Sequence, residues 1–174
     1  MILYIDAATG ASGDKLLAAL LQIAEELELY SLERLNSALG ALIPGLAVSQ
    51  ERVVVDYMRA RRIAVSAPDE QPMRTWRDIS SILLGIDDES VRTRAYSTFL
   101  RIARAEALVH MTPIDDVHFH EIGAADTIVD LLGIAMGLDA LGIEHLAASP
   151  VAVGTGTVTT EHGELPVPAP AAAA

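Results

Sequence analysis

The alternation of apolar and polar positions at the start of the chain predicts a strand, a tight turn and a helix. Residues 2–5 form a short apolar run that ends at Asp6, which is typical of a buried strand. A loop rich in Gly, Ala and Ser follows, and apolar residues then recur on one side of a helix from Asp14 to about Leu29. A strand, a glycine-rich loop and a helix in this order begin an α/β unit.

The same patterns predict two strands between two pairs of helices. Ser31 is a good N-cap for a helix to about Leu39. Valine and isoleucine from Leu46 to Ala67 then indicate two strands joined near Arg59–Arg62, before a proline-flanked linker at residues 68–72.

Three further helices are predicted after this linker. Thr75 caps a short helix that ends at Gly85, and Asp88 or Glu89 begins a longer one toward Val109. After an extended entry, a helix runs from about Ala124 to Leu141, and Leu146–Val153 has the composition of a strand. The fold class is therefore α/β or α+β, with a small sheet flanked by helices.

Composition excludes several classes of protein. Of 174 residues 51% are hydrophobic and 4% aromatic, which predicts an aliphatic core. No apolar run approaches the ~18 residues of a membrane span, and the N-terminus has no basic region of a secretory signal. Cysteine is absent, which excludes thiolate catalysis and Cys-based metal sites, and is typical of a cytoplasmic protein.

Charge is distributed unevenly. The formal net charge is −12, yet residues 111–174 contain nine acidic residues, no Lys or Arg, and four of the five histidines. This sign predicts no nucleic-acid binding, because the phosphate backbone is repelled. The C-terminal third is suited to attract cations, although ordinary acidic solubility explains the same charge.

The strongest group of candidate metal ligands lies in this acidic third. His118 and His120 share a face if the segment is extended, and Asp126 and Asp130 share a face of the helix that follows. With Glu121 they could bind nickel, zinc, iron or manganese. The alternative is that Asp126 only favours the helix N-terminus while the histidines are polar tips of an edge strand.

The loop from Asp6 to Asp14 is a second candidate. Asp6 ends a strand, where open α/β sheets place ligand-contacting residues, and Gly10, Ser12 and Gly13 could present backbone N–H groups to an anion. Gly13 is followed by Asp rather than Lys, so the loop is not a nucleotide P-loop. The alternative is a strand–turn–helix that needs glycine for positive φ.

The remaining motifs are weaker. Gly154 and Gly156 do not complete a dinucleotide fingerprint, and no G-x-S-x-G motif occurs. Arg59, Arg61 and Arg62 could hold an anionic substrate or form a solvated edge. His162 lies in a turn and could be a ligand brought in from afar.

Four blocks of the chain together resemble the LarC-type nickel insertion proteins. They are ILYIDAATGASGDKLLAALL, RTWRDISSIL, the segment AEALVHMTPIDDVHFHEIGAADTIVDLLGIAMGLDALGI, and GTGTVTTEHGELPVPAPA. The resemblance implies a nickel chelatase of the lyase class. It would insert nickel into pyridinium-3,5-bisthiocarboxylic acid mononucleotide, using CTP, to give the nickel-pincer nucleotide of lactate racemase-type enzymes.

The resemblance also implies roles for residues. Asp6 and Asp14 would be catalytic, Gly10, Ser12 and Gly13 would bind the mononucleotide or a bridging divalent cation, and nickel would bind a set of imidazoles and carboxylates. That set is His118, His120, Glu121, Asp126 and Asp130.

The chain departs from the family in two respects. Many members carry a histidine-rich tract where this chain has SAPDEQPM. Members also continue into a C-terminal domain that handles CTP with Mg or Mn, so residues 1–174 are expected to be the N-terminal domain, served by that C-terminal part or by a partner chain.

A non-catalytic module for oligomerisation or metal binding is the rival hypothesis. Gly133 and Gly137 would let the helix of residues 124–141 approach a copy of itself closely. A homo-oligomer is expected on either hypothesis.

Overall fold

A computed structural model describes residues 1–68, 74–119, 125–160 and 163–173. Helices and short strands alternate along these residues, which confirms the mixed α/β class. The helices are α1 (Gly13–Glu26), α2 (Leu32–Leu42), α3 (Trp76–Leu84), α4 (Glu89–His110), α5 (Ala125–Ala140) and α6 (Pro170–Ala173), with a 3-10 turn at Ile114–Asp116. The strands are β1 (Ile2–Ile5), β2 (Ala47–Val55), β3 (Met58–Ser66), β4 (Arg74–Thr75), β5 (His118–Phe119), β6 (His145–Ala148), β7 (Thr157–Thr160) and β8 (Gly163–Pro166).

Short-range capping fixes three of the helix starts where the sequence predicts them. The Ser31 hydroxyl accepts a hydrogen bond from the Arg34 backbone N–H, and the Asp88 carboxylate accepts one from Val91. Thr75 and Asp78 form a reciprocal capping box at the start of α3. These caps satisfy backbone N–H groups that a helix cannot pair internally.

The strands of the described segments form four separate two-stranded pairs, which are β1 with β6, β2 with β3, β4 with β5, and β7 with β8. Only β1 and β6 run parallel, with Ile2 opposite His145 and Ile5 opposite Ala148. The prediction of a buried first strand is wrong, since Ile2 and Tyr4 are 70% and 62% exposed. Only the face of β1 that carries Leu3 packs on the core.

The predicted strand Leu146–Val153 is also wrong in extent, because β6 ends at Ala148. Pro150 follows and has no N–H to continue a ladder. The chain is held there instead by individual hydrogen bonds, from the Ser149 N–H to the Ile5 carbonyl and from the Ala152 N–H to the Ala7 carbonyl.

The hairpin of β2 and β3 turns at Asp56 and Tyr57, so the predicted junction near Arg59–Arg62 is wrong. Both turn residues have positive φ, 47° and 68°, the backbone geometry of a two-residue hairpin turn. The arginines lie within β3 because Val55 pairs directly with Met58 and leaves only two residues for the turn.

Helices α1 and α5 pack together along the small residues of α5. A β-carbon on Gly133 would lie 2.6 Å from Leu17 Cδ1, and one on Gly137 would lie 3.3 Å from Leu20 Cβ. The glycine-face contact between copies that the rival hypothesis predicts is therefore wrong, because α1 of the same chain covers that face. Helices α2 and α4 complete the core around α5.

The observed ends of α1 and α2 differ from the predicted ends by a few residues. Helix α1 ends at Glu26 rather than Leu29, because Glu28 takes a positive φ of 58°. Helix α2 continues through Gly40 to Leu42, three residues beyond the predicted end. In the part of the chain that the structure covers, no helix has both the length and the apolar composition needed to cross a membrane.

Candidate functional site

The N-termini of α1 and α5 meet through Gly13 and Asp130. Gly13 is the first residue of α1, and Asp130 is half-buried on the second turn of α5. A β-carbon on Gly13 would lie 2.7 Å from Asp130 Cγ and 2.8 Å from its Cβ. Glycine is therefore needed at residue 13, because any larger residue would clash with the Asp130 side chain that packs on it.

Two neighbouring carboxylates act on Asp130 at this junction. Burial, and then the charges of Asp14 and Asp126, raise the pKa of Asp130 to about 6. The hydrogen bond from the Ser12 hydroxyl lowers the pKa of Asp14, and Lys15 acts in the same direction. Asp14 is therefore the ionised partner at mildly acidic pH, while Asp130 takes up a proton first.

A chain of polar contacts holds Asp14 in place. The Ser12 hydroxyl donates to Asp14 Oδ1, and Lys15 Nζ donates to Ser12 Oγ at 3.0 Å. The Ser12 side chain consequently does not cap α1. Lys15 is the one residue of this chain of contacts that the sequence analysis did not assign a role, and its spacing of three residues from Ser12 is the signal that could have indicated it.

Asp126 lies on the first turn of α5 and is exposed. Its Oδ1 accepts a hydrogen bond from the Thr127 backbone N–H at 2.9 Å, which is the structural role that the alternative prediction gave it. The spacing from Asp126 to Asp130 is one helical turn, as predicted, and the effect of Asp126 on the pKa of Asp130 indicates that the two charges interact.

Asp6 lies at the carboxyl end of β1, as predicted, but its contacts are local. The side chain is exposed, and Oδ1 accepts a hydrogen bond from the Ala8 N–H at 3.2 Å. No contact joins Asp6 to Asp14 or Asp130 within the described residues. The structure thus places Asp14 and Asp126 near enough for their charges to raise the pKa of Asp130, and it leaves Asp6 at the other end of the loop.

The loop that links Asp6 to α1 is hydrogen-bonded to the segment after β6. Gly10 has the positive φ (96°) that a turn favours, and its N–H donates to the Ala7 carbonyl. The Ser149 hydroxyl accepts from the Ala7 N–H at 2.8 Å. Ser149 is a residue that the sequence analysis missed, because its partner lies 142 residues away in the chain.

His118 is exposed on β5, where it pairs in register with Thr75. Its neighbour Phe119 is buried, which is the alternation the extended segment predicts. His120 and Glu121 lie outside the described residues, as does His162, so the predicted juxtaposition of the two imidazoles stays a prediction. Among residues 1–68, 74–119, 125–160 and 163–173, no three His, Asp or Glu side chains are arranged to hold a metal ion.

The arginines of the hairpin differ in their environments. Arg61 donates to the Glu25 carboxylate and to Gln50 Oε1, while Arg62 pairs with Glu51 at 2.9 Å. Arg59 lies farther along the exposed part of the hairpin. The three arginines that the sequence groups together therefore point to no common anion site.

Comparison of the sequence with known proteins identifies the family of this chain. A family model described as nickel insertion protein matches residues 3–174. The chain is 43% identical over 172 residues to a protein of Nocardioides sp. named pyridinium-3,5-bisthiocarboxylic acid mononucleotide nickel insertion protein, covering 98% of this chain and 42% of that relative.

Two further relatives carry names that contain the words nickel insertion protein. One, from Thermomicrobium roseum, is 41% identical over 173 residues, which cover 99% of this chain and 42% of the relative. The other, from Geotalea daltonii, is 40% identical over 178 residues, which cover 99% and 44%. The chain spans about two-fifths of the length of these relatives, and no solved structure matches it.

Proposed function

Since the chain belongs to the nickel insertion protein family, we propose that it holds nickel for insertion into pyridinium-3,5-bisthiocarboxylic acid mononucleotide. The product would be the nickel-pincer nucleotide cofactor of lactate racemase-type enzymes, and the reaction would be that of a chelatase of the lyase class. Nickel is the cargo of this reaction. The single observation that carries the proposal is the match of residues 3–174 to the nickel insertion protein family. The half-buried Asp130, packed on Gly13 and influenced by the charges of Asp14 and Asp126, is where we expect a cation to act.

Carboxylate oxygens and imidazole nitrogens would bind the ion together. Asp130 is half-buried and has an elevated pKa, so a divalent cation would relieve the repulsion from Asp14 and Asp126 that ionisation of Asp130 creates. His118 and His120 would supply imidazole nitrogens from the strand before α5, with Glu121 as a further ligand or as a partner that orients an imidazole. Imidazole and carboxylate ligation suits nickel.

Release to the substrate follows from ligand preference. The substrate named for the Nocardioides relative carries two thiocarboxylic groups, whose sulfur atoms are softer donors than carboxylate oxygen. A site built from oxygen and imidazole nitrogen would hold nickel loosely enough for sulfur ligands to withdraw it. Residues 1–174 contain no cysteine, so no thiolate within this part competes with the substrate for the ion.

The loop at the start of α1 would contact the mononucleotide. Ser12 and Gly13 would present backbone N–H groups there, whereas the N–H of Gly10, which the sequence also predicts as a donor, is already bonded to the Ala7 carbonyl. Asp6 and Asp14 would act on the substrate through a bridging divalent cation. A cation is needed in this arrangement because carboxylates at both ends of the loop repel a bare phosphate.

The same loop does not fit CTP. A triphosphate requires donors and cations around it. The described residues of the junction instead carry the carboxylates of Asp14, Asp126 and Asp130, with Lys15 as the neighbouring cation that acts on Asp14. We assign no step to CTP on these residues. In the relatives, more than half of the length lies outside the part matched here, and CTP with Mg or Mn would be handled there.

Nickel content per chain tests this proposal directly. The protein would be stripped with chelator, reloaded and analysed for nickel, as wild type, as His118→Ala/His120→Ala and as Asp130→Asn. The matched controls are His145→Ala, an exposed histidine on β6, and Asp139→Asn, a partly buried aspartate near the other end of α5. Stoichiometric nickel that both site variants lose and both controls retain is the expected result. Equal nickel in all five proteins would refute the assignment of the site.

A further inference from the structure

Ser149 connects the end of β6 to the start of the loop that follows β1. Its backbone N–H donates to the Ile5 carbonyl at 3.0 Å, and its hydroxyl oxygen accepts a hydrogen bond from the Ala7 N–H at 2.8 Å. The hydroxyl in turn donates to the Pro150 carbonyl at 3.2 Å. One half-buried serine therefore holds the last residue of β1 and also the second residue after that strand.

The Ala7 N–H depends on this hydroxyl. Ala7 is 1% exposed, so water has little access to its backbone, and a buried N–H without a partner is costly. The strand ladder does not supply the partner, because the register of β1 with β6 ends at Ile5 and Ala148. The side chain of Ser149 thus provides the acceptor that the backbone of a longer strand would otherwise offer.

The carbonyl of Ala7 is held by the same part of the chain. We call residues 149–152 the anchor segment. The Ala152 N–H donates to the Ala7 carbonyl at 3.2 Å, and the Gly10 N–H donates to the same oxygen at 3.0 Å. A β-carbon on Gly10 would lie 3.6 Å from the Ala152 carbonyl oxygen, so the turn at residues 7–10 lies against the anchor segment. Both backbone groups of Ala7 are consequently fixed.

The other end of the loop is held by α5. Gly13, the first residue of α1, packs on the Asp130 side chain, with which a β-carbon on residue 13 would clash. The proposed donors to the mononucleotide, the N–H groups of Ser12 and Gly13, lie at this end. Because the short stretch of residues 8–12 has few ways to join two fixed ends, the hold on Ala7 limits the directions in which these N–H groups can point.

Ser149 is separate from the residues expected to bind nickel. Its hydrogen bonds within the described part of the chain go to Ile5, Ala7 and Pro150, none of which is a candidate ligand. Asp130 belongs to the other end of the loop, where the cation is expected. Loss of the Ser149 hydroxyl should therefore change the loop without removing a metal ligand.

We propose that Ser149 is a positioning residue for the mononucleotide, whose hydroxyl holds Ala7 so that the Ser12 and Gly13 N–H groups are oriented before the substrate arrives. This role rests on the proposed function, in which the loop contacts the mononucleotide. Donors that are already in place bind a ligand with a smaller loss of conformational entropy than donors on a mobile loop. Ser149 thereby raises the affinity for the mononucleotide, whereas nickel binding does not depend on it.

Amide hydrogen exchange tests the hold on the loop. The proteins are wild type, Ser149→Ala, Ser149→Thr, which retains the hydroxyl, and Ser80→Ala as the matched control. Ser80 is a half-buried serine of α3 whose hydroxyl donates to the Arg77 carbonyl at 2.9 Å, so the control also loses one side-chain hydrogen bond to the backbone. Ser149→Ala should make the Ala7 amide exchange about tenfold faster, whereas Ser149→Thr and Ser80→Ala should leave it unchanged. Equal exchange at Ala7 in wild type and Ser149→Ala would overturn the proposal.

A comparison of mononucleotide affinity with nickel content tests the role in the site. Calorimetric titration with the mononucleotide, with Mg²⁺ present and no nickel, measures the affinity, and elemental analysis after reloading measures the nickel. Ser149→Ala should bind the mononucleotide about tenfold more weakly and retain wild-type nickel, and Ser149→Thr should restore the affinity. A general destabilisation would instead lower both quantities together, and that result would overturn the positioning role.

The wild-type protein separates failure of this inference from failure of the proposed function. If wild type and Ser149→Ala bind the mononucleotide equally well, the loop contact stands and the role of Ser149 is refuted. If wild type binds no mononucleotide, the proposed contact of the loop is refuted, and the role of Ser149 with it. A loss of affinity in Ser149→Thr equal to that in Ser149→Ala would show that the hydroxyl is not the cause, which also overturns the proposal.

Discussion

The β-carbon of Asp130 lies where a side chain on Gly13 would have to go, at 2.8 Å from an ideal β-carbon on that glycine. At the junction of α1 and α5, Gly13 and the half-buried side chain of Asp130 therefore pack directly against each other. A rotation of the Asp130 side chain cannot relieve this contact, because it involves the atom nearest the backbone. The position of the carboxylate and the start of α1 are consequently coupled.

Gly13→Ala should separate the two helices at this junction. Overpacking of this kind costs about 1–3 kcal/mol, so we expect a loss of that size in the free energy of unfolding by urea and weaker nickel binding. Gly40→Ala is the matched control, since Gly40 lies inside α2 with nothing within 4 Å of its missing side chain. That control should be stabilised by about 0.5–1 kcal/mol. Equal effects of the two substitutions would contradict the packing argument.

Asp130→Asn should make the metal-free protein more stable at neutral pH. The pKa of Asp130 is about 6 in the folded chain, above the usual 3.8, so the folded state binds more protons than the unfolded state between these values. Wild-type stability from this residue is therefore greatest below pH 4 and falls as the pH rises to about 6. Because Asp130 is half-exposed, we expect the asparagine variant to gain only about 1 kcal/mol at pH 7.5.

Urea unfolding in chelator from pH 4 to pH 8 measures this difference. The two stability curves should converge near pH 4 and separate by pH 6. Asp126→Asn serves as a second probe, because removing its charge should lower the pKa of Asp130 when that carboxyl is followed by NMR. A constant gap between wild type and Asp130→Asn at every pH would show that ionisation of Asp130 is not the cause.

Nickel binding should weaken as the pH falls below about 6. Protons then compete with nickel for Asp130, whose pKa is about 6, and any metal ligand must bind nickel in its deprotonated form. Competition with a metal-sensitive dye from pH 5 to pH 8 gives the affinity. Asp130→Asn should show a shallower pH dependence than wild type, whereas His145→Ala should follow the wild-type curve. Binding that is independent of pH would argue against Asp130 as a ligand.

Gly133→Ala should destabilise the monomer without changing the assembly. Its new methyl group would lie 2.6 Å from Leu17 Cδ1, so the core between α1 and α5 must shift at a cost of about 1–3 kcal/mol. Thermal unfolding measures the loss, and light scattering measures the mass. A change in mass with no change in stability would instead favour a helix-to-helix contact between copies.

Local chemistry explains which elements could be predicted. Ser31, Thr75 and Asp88 mark helix starts because a cap acts over three residues, and a sequence pattern can express that distance. The hairpin turn was misplaced because Asp56 and Tyr57 adopt positive φ without a glycine, so no local signal marks them. The end of β6 depends on hydrogen bonds to β1, which lies at the opposite end of the chain.

The sequence by itself determined the α/β class, the caps, the resemblance to nickel insertion proteins, and the spacing of Asp126 and Asp130. Only the tertiary structure decided that Asp130 packs on Gly13 beside Asp14, that Asp6 stays apart, and that α1 covers Gly133. The physical reason is the separation along the chain over which each interaction acts. Helical spacing and capping act within a few residues, whereas burial, charge coupling and close packing depend on which distant segments the fold brings into contact.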